Sequence, residues 1–148
     1  MPTNRRHKLK LAASALCALA LVVAGCGGSS YKSKVEDAAK QFKKTSVDAG
    51  SKLRNARTKQ AFSAGVDEFQ GAVTTFNKKL SSLSPPSRAK AAQVRLIQVL
   101  NTFSSDVGAV RDALNKGDVT QIRALQGRVV TDVGDVQTAA KDLQNKAG

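Results

Sequence analysis

Residues 62–83 read FSAGVDEFQGAVTTFNKKLSSL, and the spacing of Phe62, Val66, Phe69, Val73, Phe76, Leu80 and Leu83 within them decides the fold. These residues follow one another in steps of four and three without a miss. That spacing holds one apolar stripe on a single side of an α-helix, and two seam positions per heptad must face another helix. A helix from about Lys59 to Leu83 is expected. Ser84-Pro85-Pro86-Ser87 ends it, because proline disfavours helix in the residue before it yet fits the first turn of the helix after it.

On the far side of that turn the pattern returns in Leu96, Leu100, Phe103, Val107, Val110 and Leu114, with Ala89 and Ala92 leading in. Asn115-Lys116-Gly117 ends this helix, glycine being able to take the left-handed conformation that closes one, and Asp118 is placed to cap the next. The last helix has Ile122, Val129, Val136 and Leu143 at intervals of seven, with Val119, Val133 and Ala140 on the companion position. Gln126 takes the remaining companion place, either fixing register through a hydrogen bond or marking a wet end of the bundle.

Towards the amino terminus, Val35, Phe42, Ala49 and Ala56 recur at sevens with Ala39 and Leu53 near the same face, an amphipathic but weakly apolar helix from about Lys32 to Arg54. Residues 55–58 are the expected break, Thr58 capping the next helix. A single helix over 32–83 is the competing reading. No segment alternates as a strand does, and the short connections force antiparallel neighbours. The expected fold is all-α, an antiparallel up-down-up-down four-helix bundle over 32–148. The start of the domain, the proline turn and the carboxyl end would share one end, and the turns at 55–58 and 115–118 would form the distal tip.

The first 30 residues follow another logic. Arg5, Arg6, Lys8 and Lys10 precede an apolar run from Leu11 to Ala24, and Val23-Ala24-Gly25-Cys26 leads into the polar Gly27 to Ser30. The run is shorter than the about 20 residues that a spanning helix needs. This order resembles the signal peptide of a bacterial lipoprotein, with 23–26 resembling its lipobox. The resemblance implies cleavage after Gly25, a diacylglycerol on the Cys26 sulfur, residues 26–31 as lipidated cysteine and tether, and an address on the extracytoplasmic side of the cell membrane. Residues 4–10 also resemble a twin-arginine export signal, but Lys8 stands where that pattern has an apolar residue. Taken whole, the plan is similar to small lipoproteins of Gram-positive bacteria, actinobacteria especially, of uncharacterised function.

Charge and missing residue types narrow the function. The chain carries 24 basic and 11 acidic residues, a formal charge of +13, and the leader contains four of the basic and none of the acidic ones, so residues 26–148 retain +9. His7 is the one histidine and Cys17 the one cysteine besides Cys26, and both lie in the leader. A domain without them has no disulfide, no usual zinc, haem or di-iron ligands, and no serine-histidine or cysteine-histidine nucleophile. Of the carboxylate candidates, Asp67 and Glu68 are adjacent and point apart on a helix, while Asp132 with Asp135 reads as part of a solvated face. All five phenylalanines fall on seams, which leaves no stacking platform for nucleic acid, and no glycine-rich phosphate loop is present.

What remains is surface. Lys32, Lys34, Lys78, Lys79, Arg88, Lys90 and Lys146 fall at the membrane-facing end, where basic side chains favour anionic lipid. Arg54, Arg57, Lys59, Arg111, Lys116 and Arg123 fall at the distal tip, opposed only by Asp112 and Asp118, and form a candidate site for an anionic partner. The plain alternative is a solvated basic surface. The outward strip Thr120, Ala124, Gly127, Thr131, Gly134 and Thr138 either admits a close partner or belongs to a helix held by its core face alone. The expected function is that of a membrane-tethered, non-enzymatic helical module of the envelope that needs no cofactor. It would bind a protein or an anionic wall polymer and no nucleic acid. A small-ligand-binding bundle, which requires a cavity, is the alternative.

Overall fold

The computed structural model describes residues 30–148; the leader, Cys26 and the glycines after it lie outside the described residues. Four helices follow one another: α1 (Tyr31–Asn55), α2 (Lys59–Ser81), α3 (Ser87–Lys116) and α4 (Val119–Ala147). Each packs against its neighbour in sequence, and α4 closes the ring against α1, so the described residues form the expected antiparallel four-helix bundle.

Local chemistry sets the boundaries. The Ser30 hydroxyl accepts from the Ser33 amide at 3.3 Å and starts α1 one residue earlier than expected. At Ala56 the backbone turns extended (φ −62°, ψ 121°), which rules out one long helix over 32–83. Thr58 caps α2 by accepting from the Ala61 amide at 3.1 Å, and Asp118 caps α4 by accepting from the Gln121 amide at 2.9 Å. Gly117 takes φ 74°, the left-handed conformation, and is the only described residue with positive φ.

The core follows the seams. Phe69, Leu80, Leu100, Phe103, Val136 and Leu143 are essentially sealed from solvent. The Phe69 and Phe103 rings meet edge to face at 5.2 Å across α2 and α3, and Phe42 stacks on Phe76 at 4.7 Å across α1 and α2. Near the tip a Cβ on Gly65 would fall 2.8 Å from the Leu53 side chain, so α1 and α2 approach there as only glycine permits.

The four interfaces are unequal. The most extensive is α3 with α4, and the slightest of them is α4 with α1. One step off the main seams, Ala92, Val99, Asp106 and Ala113 lie seven apart on α3 and Leu125, Asp132 and Ala139 seven apart on α4, all buried except the half-buried Val99. The alanines let the backbones draw together. Val119, expected on a seam, is instead half exposed, because as the first residue of α4 it projects past the end of the core.

Candidate functional site: the two ends and a buried acid pair

At the distal end, the ammonium of Lys59 donates to the Asn115 carbonyl at 3.0 Å and ties the α1–α2 turn to the α3–α4 turn. The crown residues therefore share one end of the bundle. Arg54 lies in the last turn of α1, Arg57 in the connection, Lys116 at the close of α3 and Arg123 in the second turn of α4. Arg57, Lys116 and Arg123 are exposed and make no hydrogen bond or ion pair with another described residue.

Arg111 differs from the rest of the crown. Its Nη1 reaches Asp67 Oδ1 at 2.7 Å and its Nε reaches Asp112 Oδ1 at 3.0 Å, so it joins α2 to α3 as an internal tie. The hydrogen bond to Asp112, aided by the charge of Asp67, raises the guanidinium pKa above its ordinary value. The expectation that only Asp112 and Asp118 oppose the crown is corrected by Asp67, which α2 supplies. Asp118 is itself engaged as the α4 cap.

At the opposite end three elements are clasped. The Tyr31 hydroxyl donates to Gln93 Oε1 at 2.6 Å, joining α1 to α3. Arg88 Nε donates to the Lys146 carbonyl at 3.1 Å and Arg88 Nη2 donates to the Gly148 oxygen, joining α3 to α4. Lys34, Lys78 and Lys90 stand exposed around the clasp.

Two recesses open in the bundle. One, of about 30 Å³, lies at the clasped end between α1 and α4, lined by Val35, Ala39, Phe76, Leu96, Ala140 and Leu143, with Lys32 and Glu36 beside them. Glu36 is buried there and its Oε1 has no partner. The other is an open groove of about 250 Å³ along α1 and α2, with Phe42 and Phe76 in its floor and Gln41, Glu68 and Lys79 on its rim. The Lys79 ammonium donates to Gln41 Oε1 across it at 2.6 Å.

The carboxylates depart most from expectation. Asp132 is buried, only 9% exposed, instead of sharing a solvated face with Asp135. It lies beside Asp106 of α3, itself 4% exposed, and Oδ2 of each carboxyl is buried without a partner. Burial first, then the charge of Asp106, pushes the Asp132 pKa up to about 6. Asp106 Oδ1 accepts from Arg128 Nη2 at 2.7 Å. The signal for this pair is the seven-residue spacing of Asp106 from Val99 and Ala113 and of Asp132 from Leu125 and Ala139, one step off the main seams.

The strip on α4 is open as expected: a Cβ on Gly127 or Gly134 would meet nothing within 4 Å, and the Thr131 and Thr138 hydroxyls donate back to those glycines' carbonyls. Among the described residues no cluster of three or more potential ligand side chains stands ready for a metal ion, and no helix is long and apolar enough to cross a membrane. No protein-family model matches the chain, and neither a curated protein nor a solved structure matches it.

Proposed function

We propose that the protein is a membrane-tethered, non-enzymatic helical module of the cell envelope, anchored by a lipid on Cys26, whose distal crown binds an anionic partner, either an envelope polymer or a protein. The observation that carries this reading is the set of exposed cations Arg57, Lys116 and Arg123, without a partner among the described residues, at the end of the bundle opposite the point where the chain enters α1. Helices of 23 to 30 residues hold that crown roughly 40 Å from the entry point, at about 1.5 Å per residue. A lipid on Cys26 would sit within five residues of Tyr31, so the crown would be presented away from the bilayer.

The ligand-binding alternative has less to support it. The recess of about 30 Å³ accommodates about two waters, and the larger one, of about 250 Å³, is an open groove that the Lys79–Gln41 hydrogen bond bridges, whereas small-molecule sites are enclosed clefts of roughly 300–1,000 Å³.

The experiment compares two triple variants in sedimentation with purified anionic wall polymer. Arg57→Gln with Lys116→Gln and Arg123→Gln should weaken binding about tenfold or more and flatten its salt dependence. Lys34→Gln with Lys78→Gln and Lys90→Gln, an equal change in net charge, should leave binding nearly intact, because exposed charges are screened beyond about 8 Å. Equal losses from the two triples would defeat the crown. The anchor is tested separately: Cys26→Ser should abolish metabolic lipid labelling, and undiminished labelling would remove the tether from the reading.

A further inference from the structure

We propose that Asp106 and Asp132 share one proton across the α3–α4 seam, and that loss of this proton loosens α4 from α3. Both carboxyls are buried at the α3–α4 interface, and Arg128, one turn before Asp132 on α4, reaches Asp106 Oδ1 at 2.7 Å, so the two acids are neighbours. Two carboxylates so placed repel and cannot donate to each other, and sharing a proton relieves both. The geometry says which. Asp106 Oδ1 is ion-paired with Arg128 at 2.7 Å, whereas no ion pair among the described residues holds Asp132, so the shared proton is placed on Asp132. The outer oxygens fit the same reading: Oδ2 of each aspartate is buried without a partner, so neither carboxyl has another donor with which to stabilise a full second charge.

The groups acting on Asp132 are Asp106 from α3 and, from its own helix, Arg128, whose charge opposes the shift, and Asp135, whose charge adds to it; α1 and α2 supply none of these. Arg128 is a weak counterweight because its side chain is 63% exposed while that of Asp106 is 6% exposed. Once the proton leaves, two buried negative charges face each other across the most extensive interface of the bundle. Away from α3, α4 is held mainly by its slight interface with α1.

The sign follows from linkage. The folded Asp132 carboxyl binds its proton more tightly than the unfolded one, whose pKa is about 3.9. The stability this gives is therefore full below about pH 4 and is lost as the pH rises through about 6. No histidine lies among the described residues, so no imidazole contributes to the pH dependence of the bundle between pH 5 and 7.5.

The test uses the full chain and Asp132→Asn, which keeps a donor towards Asp106 and removes the titration. The folding equilibrium of the unsubstituted protein should fall about tenfold or more from pH 5 to 7.5, and that of the variant should stay level. Parallel curves, or a level curve for the unsubstituted protein, would overturn the proposal. Carbon-13 spectra of the aspartate carboxyls give a second reading that needs no variant. One aspartate should titrate near pH 6, and titration of every aspartate below pH 5 would refute the shared proton. Amide exchange, corrected for its intrinsic pH dependence, should quicken along Val129–Val136 relative to α2, and equal quickening in α2 would count against a local joint.

Discussion

Helix α4 meets the bundle along two seams, and both bury a carboxyl. Against α3 the backbones are drawn together by Ala92, Ala113 and Ala139, all at most 2% exposed, and the carboxyls of Asp106 and Asp132 find each other and Arg128. Against α1 contact is slight, a recess of about 30 Å³ remains, and Glu36 Oε1 has no protein partner beside it. The same functional group is handled by close pairing in one seam and by vacant space in the other. Small side chains at seven-residue spacing make the difference, since they set how closely two helices approach before any polar group is placed. The weakly apolar pattern of α1 explains its looser side: of its buried residues only Phe42 and Leu53 are large and apolar.

The α2–α3 core stands apart from both seams of α4, and the largest expected effect lies there. Phe69→Ala should cost ~3–5 kcal/mol in chemical denaturation, because the ring is sealed and packs on Phe103. Glu68→Ala, whose ion pair with Lys52 is exposed, should cost under about 1 kcal/mol. A small loss from Phe69→Ala would mean that the core lies elsewhere.

Next in size come two matched substitutions that separate the seams directly. Ala113→Val puts two methyl groups into the close seam and should lower stability by about 1–3 kcal/mol. Ala140→Val, on the wall of the recess, has room to fill and should raise it by about 0.5–1 kcal/mol. Opposite signs in thermal melts would sharpen the contrast, and equal losses would erase it.

The bundle was legible because its signals are local or periodic. The run from Phe62 to Leu80 names the buried face of α2 without reference to any other helix, and Thr58, Gly117 and Asp118 act as turn chemistry requires. The acid pair, the Arg111–Asp67 tie and the burial of Glu36 were not legible, since each depends on which residue of a second helix stands opposite. Asp132 three residues from Asp135 looks like any solvated pair until α3 brings Asp106 to it. The crown was readable as a cluster in space, because alternate turns of an antiparallel bundle share an end. That Arg57, Lys116 and Arg123 stay free while Arg111 is engaged was not.

The clasp at the entry end makes the protein its own optical probe. Tyr31 is the only tyrosine and the chain has no tryptophan, so near-ultraviolet emission comes almost wholly from one side chain, half-buried and hydrogen-bonded to Gln93. Burial raises its hydroxyl pKa, so the tyrosinate absorption band should appear at higher pH than for free tyrosine while the clasp is shut. The absorbance of an unlabelled sample thus distinguishes a fastened first turn of α1 from a frayed one.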